Sequence, residues 1–393
     1  MIQGLVRNMN KRRVLLLITG LIGFLSGCWD SHEPERMLYT HGVGIDYKDG
    51  EYQVYLQIIN FPNIAKSEDP KSEPEQVEVG YASGKTVEEA VFELYDSVDQ
   101  RILWGHLSFI VLHENALKDK RLNSIIDNFL RYAETRYRIW IYSTTDSVKD
   151  ILLAVPIISK SVILSKLGDP MNAYDQDSFI EPINLRSFII GLDEPTHEMT
   201  IPQIRITHNW ESVTEKTRIT EFIGVSVATP NKFKGSILGE KAHGLRWMNN
   251  NTQRSSISFF LNEENKENKT SVALDKVKVK VKPIIENGEA LFDIHVRMQA
   301  NVNTLTKKTT EKELKKRIKE IVKKEILATY EEALEKEIDI YRLSEYLYRK
   351  NVKEWKKLEE NGKVDLTEDS IRSLNIDITK VKTGRKSLTD TLK

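Results

Sequence analysis

The stretch from residue 275 to 301 leaves the chain least choice. Asn287-Gly288 separates two runs in which apolar and polar residues alternate, and both residues tolerate the positive φ of a two-residue type I′ turn. With that turn fixed, Val281 faces Ile294, Val279 faces Val296 and Val277 faces Met298. All six apolar residues then share one face, and a slip by one residue would scatter them. Pro283 falls opposite Phe292, at a pair that exchanges no hydrogen bonds. Its missing N–H points away from the hairpin partner, so residues 276–286 are expected to form a sheet edge there, or a bulge. The opposite face carries Lys276, Lys278, Lys280 and Lys282, with Lys278 opposite Arg297 and Lys280 opposite His295. Like charges so placed disfavour pairing by a few tenths of a kcal/mol. A solvated edge protected from aggregation by lysines is the expected role. Contact with anionic lipid or an acidic partner is the alternative.

The segments after the hairpin are mostly helical. Leu314, Ile318, Ile321, Val322, Tyr330, Leu334 and Ile338 space a long helix over 309–338. Its many lysines read as a solvated face. A second helix is expected from about 340 to 358, stopped by Asn361-Gly362. Leu374, Ile376 and Ile378 alternate with polar residues in a final strand.

The N-terminal half opens with a hairpin over 37–62 turning at Asp49-Gly50. Thr86 and Glu89 then make a capping box ahead of Val87, Ala90, Val91, Leu94 and Val98 at helical spacing. Residues 102–112 read as a buried strand interrupted by Gly105-His106. Leu122, Ile125, Ile126, Phe129 and Leu130 mark a helix, and 138–142 a strand. A short helix over 147–154 must end before Pro156. Strands alternating with helices predict a mixed sheet. Short β runs at 222–228, 233–238 and 255–261 follow.

The front of the chain is of another kind. Arg7, Lys11, Arg12 and Arg13 precede Val14–Leu25, an apolar run too short for the roughly 20 residues of a membrane span, and no acidic residue lies within 1–27. This is the pattern of a cleaved secretory signal. Leu25-Ser26-Gly27-Cys28 resembles the bacterial lipobox, in which cleavage precedes the cysteine and its thiol carries diacylglycerol. Cys28 is the only cysteine of the 393 residues, so once acylated it leaves no thiol for disulfide, metal or catalysis. Residues 29–36 would tether the body to the lipid, and eight extended residues reach under about 30 Å.

The expected fold is α+β and multi-domain, with mixed β-sheets and packed helices behind the cleaved lipoprotein signal peptide. The expected parts are the signal peptide 1–27, a lipid tether 28–36, an N-terminal α+β domain 37–205, a small β-rich middle domain 206–266 and a C-terminal α+β domain 267–393.

Catalytic patterns are not found. The full chain has 58 basic and 58 acidic side chains, and loss of the signal leaves the balance slightly acidic, which excludes a nucleic-acid footprint. His32-Glu33-Pro34-Glu35-Arg36 lacks the second histidine of a zinc-protease helix. Gly42-Val43-Gly44 lacks the third glycine of a dinucleotide fingerprint, and there is no Gly-x-Ser-x-Gly elbow. His106, in Trp104-Gly105-His106-Leu107, is expected to be a hydrogen-bonded core histidine rather than a base. Asp127, Arg131 and Arg136 are expected to form a structural ion pair. No catalytic, cofactor-binding or metal residue is assigned; Cys28 alone is assigned, as the lipidation site.

Several short pieces, in order behind the lipobox, resemble the Ger(x)C family of spore germination lipoproteins. They are Cys28-Trp29-Asp30 with Glu33, Val43-Gly44-Ile45-Asp46, Gly84-Lys85-Thr86 with Glu89-Ala90, and Gly105-His106-Leu107. Asp127-Asn128-Phe129-Leu130-Arg131 with Arg136, Gly235-Ser236-Ile237-Leu238, and Asp339-Ile340 with Trp355-Lys356 continue the series. Ala228-Thr229-Pro230 departs from the family's apolar-Phe-Lys run. The resemblance implies a non-enzymatic lipoprotein subunit of a nutrient germinant receptor, on the outer face of the spore inner membrane. Its partners would be the membrane, through the lipid anchor, and two integral-membrane receptor subunits; no nucleic acid and no cofactor are expected from the charge balance and the missing motifs, and direct small-molecule binding by the body is not expected. The alternative is a substrate-binding lipoprotein of a nutrient transporter. Such proteins are built of two similar α/β lobes.

Overall fold

The computed structural model describes residues 37–59, 77–132, 134–157, 161–211, 216–261, 269–305 and 309–384. The expected signal peptide and tether, and Cys28, lie outside these residues. The described residues from Leu38 onward form one compact unit.

Strands β1 (Met37–Lys48) and β2 (Glu51–Ile59) pair antiparallel about Asp49-Gly50, whose φ angles of 55° and 84° suit the expected turn. β3 (Val77–Gly84) continues from β2. Thr86 then caps helix α1 (Val87–Asp96) by accepting from Glu89 N at 3.1 Å. The Glu89 carboxylate takes the amide of Lys85 rather than that of Thr86 itself. β4 (Arg101–Leu103) lies on β1. Two parallel strands follow, β5 (Phe109–His113) beside β1, then β6 (Trp140–Thr144) beside β5. Helices α2 (Glu114–Leu117) and α3 (Arg121–Arg131) fill the crossover. After α4 (Val148–Leu152), α5 (Met171–Gln176), β7 (Ile183–Asn184) and α6 (Leu185–Asp193) comes β8 (Met199–Glu211), parallel to β6. The sheet ends with β9 (Lys216–Ala228) and β10 (Phe233–Leu238), giving the order β10-β9-β8-β6-β5-β1-β2-β3.

The run 102–112 is thus two strands. The chain leaves the sheet after Leu103 and returns at Phe109. His106 on this turn is exposed, its ring edge-on to Tyr39 at 5.2 Å, and is no core histidine. The buried histidine of this sheet is His41, whose Nδ1 lies 2.9 Å from Gln57 Oε1.

A 3₁₀ segment, Gly239–Trp247, leads to the second sheet. This contains β11 (Arg254–Phe260), β12 (Lys269–Glu286), β13 (Glu289–Thr304) and, after the C-terminal helices, β16 (Ser373–Lys382), in the order β11-β12-β13-β16. Val281 pairs with Ile294, Val279 with Val296, and Pro283 with Phe292, as the turn requires. Below Lys278 the register slips. Lys276 has a φ of 54° and bulges, so Asp275 pairs with Gln299, and Val277 and Met298 are buried without being partners. β11 pairs with β12 from Lys269 to Asp275, and among the described residues no strand pairs with β12 on that side at Pro283.

The described residues of 206–266, read from the sequence as a middle domain, have no sheet of their own. β9 and β10 extend the first sheet, and β11 belongs to the second. The two sheets differ in strand number and connectivity, unlike a pair of similar lobes.

Helix α7 (Glu311–Leu334) buries Leu314, Ile318, Val322, Ile326, Tyr330 and Ala333 in the second sheet's core, alongside Trp247. Gly244 lets the 3₁₀ segment lie against it. A Cβ there would stand 2.5 Å from Tyr341 Oη and 2.6 Å from the Glu325 carbonyl oxygen. Gly244→Ala is therefore expected to lower stability by about 1–3 kcal/mol, read as a lower urea midpoint. A midpoint unchanged from the parent would show that the helix yields freely there.

The expected second helix is two, α8 (Leu343–Lys350) and α9 (Val352–Leu358), divided at Asn351. Asn361-Gly362 is not a helix stop. Its φ angles of 53° and 86° turn a small hairpin between β14 (Glu359–Glu360) and β15 (Lys363–Val364).

Candidate functional site

The two halves of the body are joined by a polar knot that begins at the end of α6. Thr196 and His197 both take positive φ (87° and 51°), which turns the chain sharply into β8 and drives Glu198 inward. Glu198 is 4% exposed. Its carboxylate accepts from the backbone amide of Asp339 at 2.8 Å and from Lys363 Nζ at 3.0 Å, and Lys234 Nζ stands 4.0 Å away. Asp339 is itself buried and caps α8, accepting from Leu343 N at 2.7 Å and Ser344 N at 2.8 Å. Burial pushes the Asp339 carboxyl up, opposed by those amides and reinforced by Glu198. Burial, with Lys363 beside it, lowers the Lys234 ammonium. Arg342, held at a φ of 52°, donates to the Glu198 carbonyl at 2.8 Å. These charges are committed to one another and to backbone amides, so the knot fixes residues 196–199 against 337–363. A cleft of about 1090 Å³ opens beside it, lined among others by His197, Lys234, Glu337, Trp355 and Gly362.

A second, half-buried carboxylate ties the 3₁₀ segment to α7. Glu325 accepts from Arg246 at 3.0 Å and from Trp247 Nε1 at 2.5 Å. Elsewhere, Asp127 and Arg131 form an exposed ion pair at 2.7 Å; Arg136 is not part of it. Among the described residues no three His, Cys, Asp or Glu side chains gather as a metal site, and no helix is long and apolar enough to cross a membrane.

Sequence reasoning did not find the knot. Glu198 and Asp339 stand 141 positions apart, and neither belongs to a local chemical motif. Asp339-Ile340 stands out in the sequence only through the family resemblance. The one residue assigned a site, Cys28, lies outside the described residues.

Comparison with known proteins agrees along most of the length. Residues 30–206 match the family model of the spore germination protein N-terminal domain, and residues 223–380 match that of the spore germination B3/GerAC-like C-terminal domain. Spore germination protein KC of Bacillus subtilis is 22% identical over 371 residues, covering 88% of this chain and 89% of the relative. Spore germination protein B3 of the same organism is 24% identical over 279 residues, 70% of each chain. The crystal structure of the GerBC protein superposes with a TM-score of 0.54 at 16% identity, over 86% of this chain and 96% of that one, a likeness of fold. With both of its domains matched in order, the chain belongs to the spore germination B3/GerAC-like family.

Proposed function

We propose that this protein is the lipoprotein subunit of a spore nutrient germinant receptor. It is held through acylated Cys28 on the outer face of the spore inner membrane, beside two integral-membrane subunits, and takes part in nutrient-triggered germination without catalysing a reaction. The observation that carries this reading is one of position. The family match begins at residue 30, directly behind Leu25-Ser26-Gly27-Cys28. The relatives are named as spore germination proteins, and a body whose buried charges are committed to joining its two halves suits a scaffold for other proteins.

Spores lacking the gene are expected to lose dipicolinate release in response to one class of nutrient and to keep it for others. An unchanged response to every nutrient, in spores lacking all related receptors as well, would defeat the reading. Calorimetric titration of the protein with nutrients separates it from a transporter's substrate-binding lipoprotein, which would show saturable heat.

A further inference from the structure

Resting on the reading of Cys28 as a lipid anchor, we infer that one end of the first sheet, carrying Arg136, Tyr137, Arg138 and Arg186, lies on the surface of a bilayer containing anionic lipid. The topology selects that end. β1, β5, β6 and β8 run parallel, so the loops before β5, β6 and β8 lie where β1 begins. Backbone bonds fix this: Ser108 N donates to the His41 carbonyl at 2.9 Å, Trp140 N to the Ser108 carbonyl at 2.8 Å, and Arg186 N to the Tyr137 carbonyl at 2.9 Å. Only residues 29–36 separate Cys28 from the start of β1. Even fully extended they reach under about 30 Å, which is less than the length of the 12-residue strand β1 itself, at about 3.3 Å per residue.

The chemistry at this end fits a headgroup region. Tyr137 is 50% exposed between two exposed arginines; an amphipathic ring flanked by cations is what membrane interfaces collect. Among the described residues, no carboxylate lies within ion-pair distance of Arg136, Arg138 or Arg186. The carboxylate of the same loop, Glu134, is taken by Arg101 at 3.7 Å. At the opposite end most cations are already paired: Lys85, Lys118, Arg121 and Arg218 each hold a carboxylate, Glu51, Glu114, Asp119 and Asp150, and Lys48 and Lys120 are exposed beside them. The linking residues 29–36 are acidic, with Asp30, Glu33 and Glu35 against Arg36. Attraction to anionic lipid must therefore come from the body. Each guanidinium near such a surface is worth roughly a fivefold gain in partitioning.

The test uses the full acylated chain in vesicles of phosphatidylcholine with or without phosphatidylglycerol. Ser187→Cys places a dye beside Arg186, and Asn209→Cys places it near the far tip of β8; acylated Cys28 offers no competing thiol. Quenching by lipids with nitroxide headgroups is expected to be several-fold stronger at position 187 than at 209. It should weaken without phosphatidylglycerol or at about 0.5 M salt, and approach the position-209 value when Arg136, Arg138 and Arg186 are all changed to Gln. Equal quenching at both positions, or quenching at 187 indifferent to lipid charge and to the three substitutions, would overturn the orientation while leaving the anchor standing. A chain that fails to float with vesicles and takes the dye at Cys28 would overturn the anchor, and this orientation with it.

Discussion

Cys28→Ala is expected to move the protein out of the membrane fraction, with a fall in membrane-bound material of about tenfold or more after a salt wash. The argument is one of buried methylenes. Each contributes about 0.8 kcal/mol, so a single acyl chain holds marginally and a diacylglycerol firmly. Without the thiol no diacylglycerol can be attached. The residual apolar run Val14–Leu25 is shorter than the roughly 20 residues that a spanning helix needs. The folded body should not notice the change, since its first strand begins at Met37. The variant's thermal midpoint and circular dichroism are therefore expected to match the parent. Fractionation with immunoblotting checks the first part. A Cys28→Ala chain that stays with the washed membranes at parental levels would show that something other than lipid holds it.

What could be read from the sequence, and what could not, follows the range of the interactions. The β12–β13 hairpin was legible because a period of two and an Asn-Gly turn fix the register between neighbours in sequence. Its bulge at Lys276 was not, because the slip lies where β11 joins the outer side of β12, a contact made by a strand outside the hairpin. Asn361-Gly362 is ambiguous in the sequence for a related reason. The dipeptide's taste for positive φ serves a helix stop and a type I′ turn equally, and only the pairing of Glu359 with Val364 decides. His106 looked internal because its neighbours are apolar; the chain turns outward there between β4 and β5. The α+β class and the mixed sheet were legible from alternating periodicities. The knot at Glu198 was not, since it is assembled from residues 198, 234, 339 and 363, which only the fold brings together.

Glu325→Ala should have the largest effect on stability, a loss of about 3–5 kcal/mol. Glu325 sits midway along α7, where the helix faces the 3₁₀ segment. Arg246 is 8% exposed and Trp247 fully buried. The carboxylate serves Arg246, the Trp247 indole N–H at 2.5 Å and the His243 ring at 3.4 Å. Removing it leaves the indole N–H without its acceptor and the guanidinium without a counter-charge, held only by Ser255 Oγ and the Ser256 carbonyl, and an uncompensated buried charge costs more than the intact pair returns. The contrast is informative: changing both partners, Arg246→Met with Glu325→Leu, should recover much of the loss, because no buried charge remains. Acid should mimic the single variant. Burial alone would push the Glu325 carboxyl up, but the His243, Arg246 and Trp247 contacts carry it below its ordinary value. With its folded-state value depressed, the group's contribution is complete above the ordinary glutamate value and is lost as pH falls through the lower folded value. Urea denaturation of the parent and both variants, at neutral pH and in acid, reads all of this. A single variant that loses less than about 1 kcal/mol at neutral pH would place the joint between α7 and the 3₁₀ segment in the apolar packing around Trp247 rather than in the charge pair.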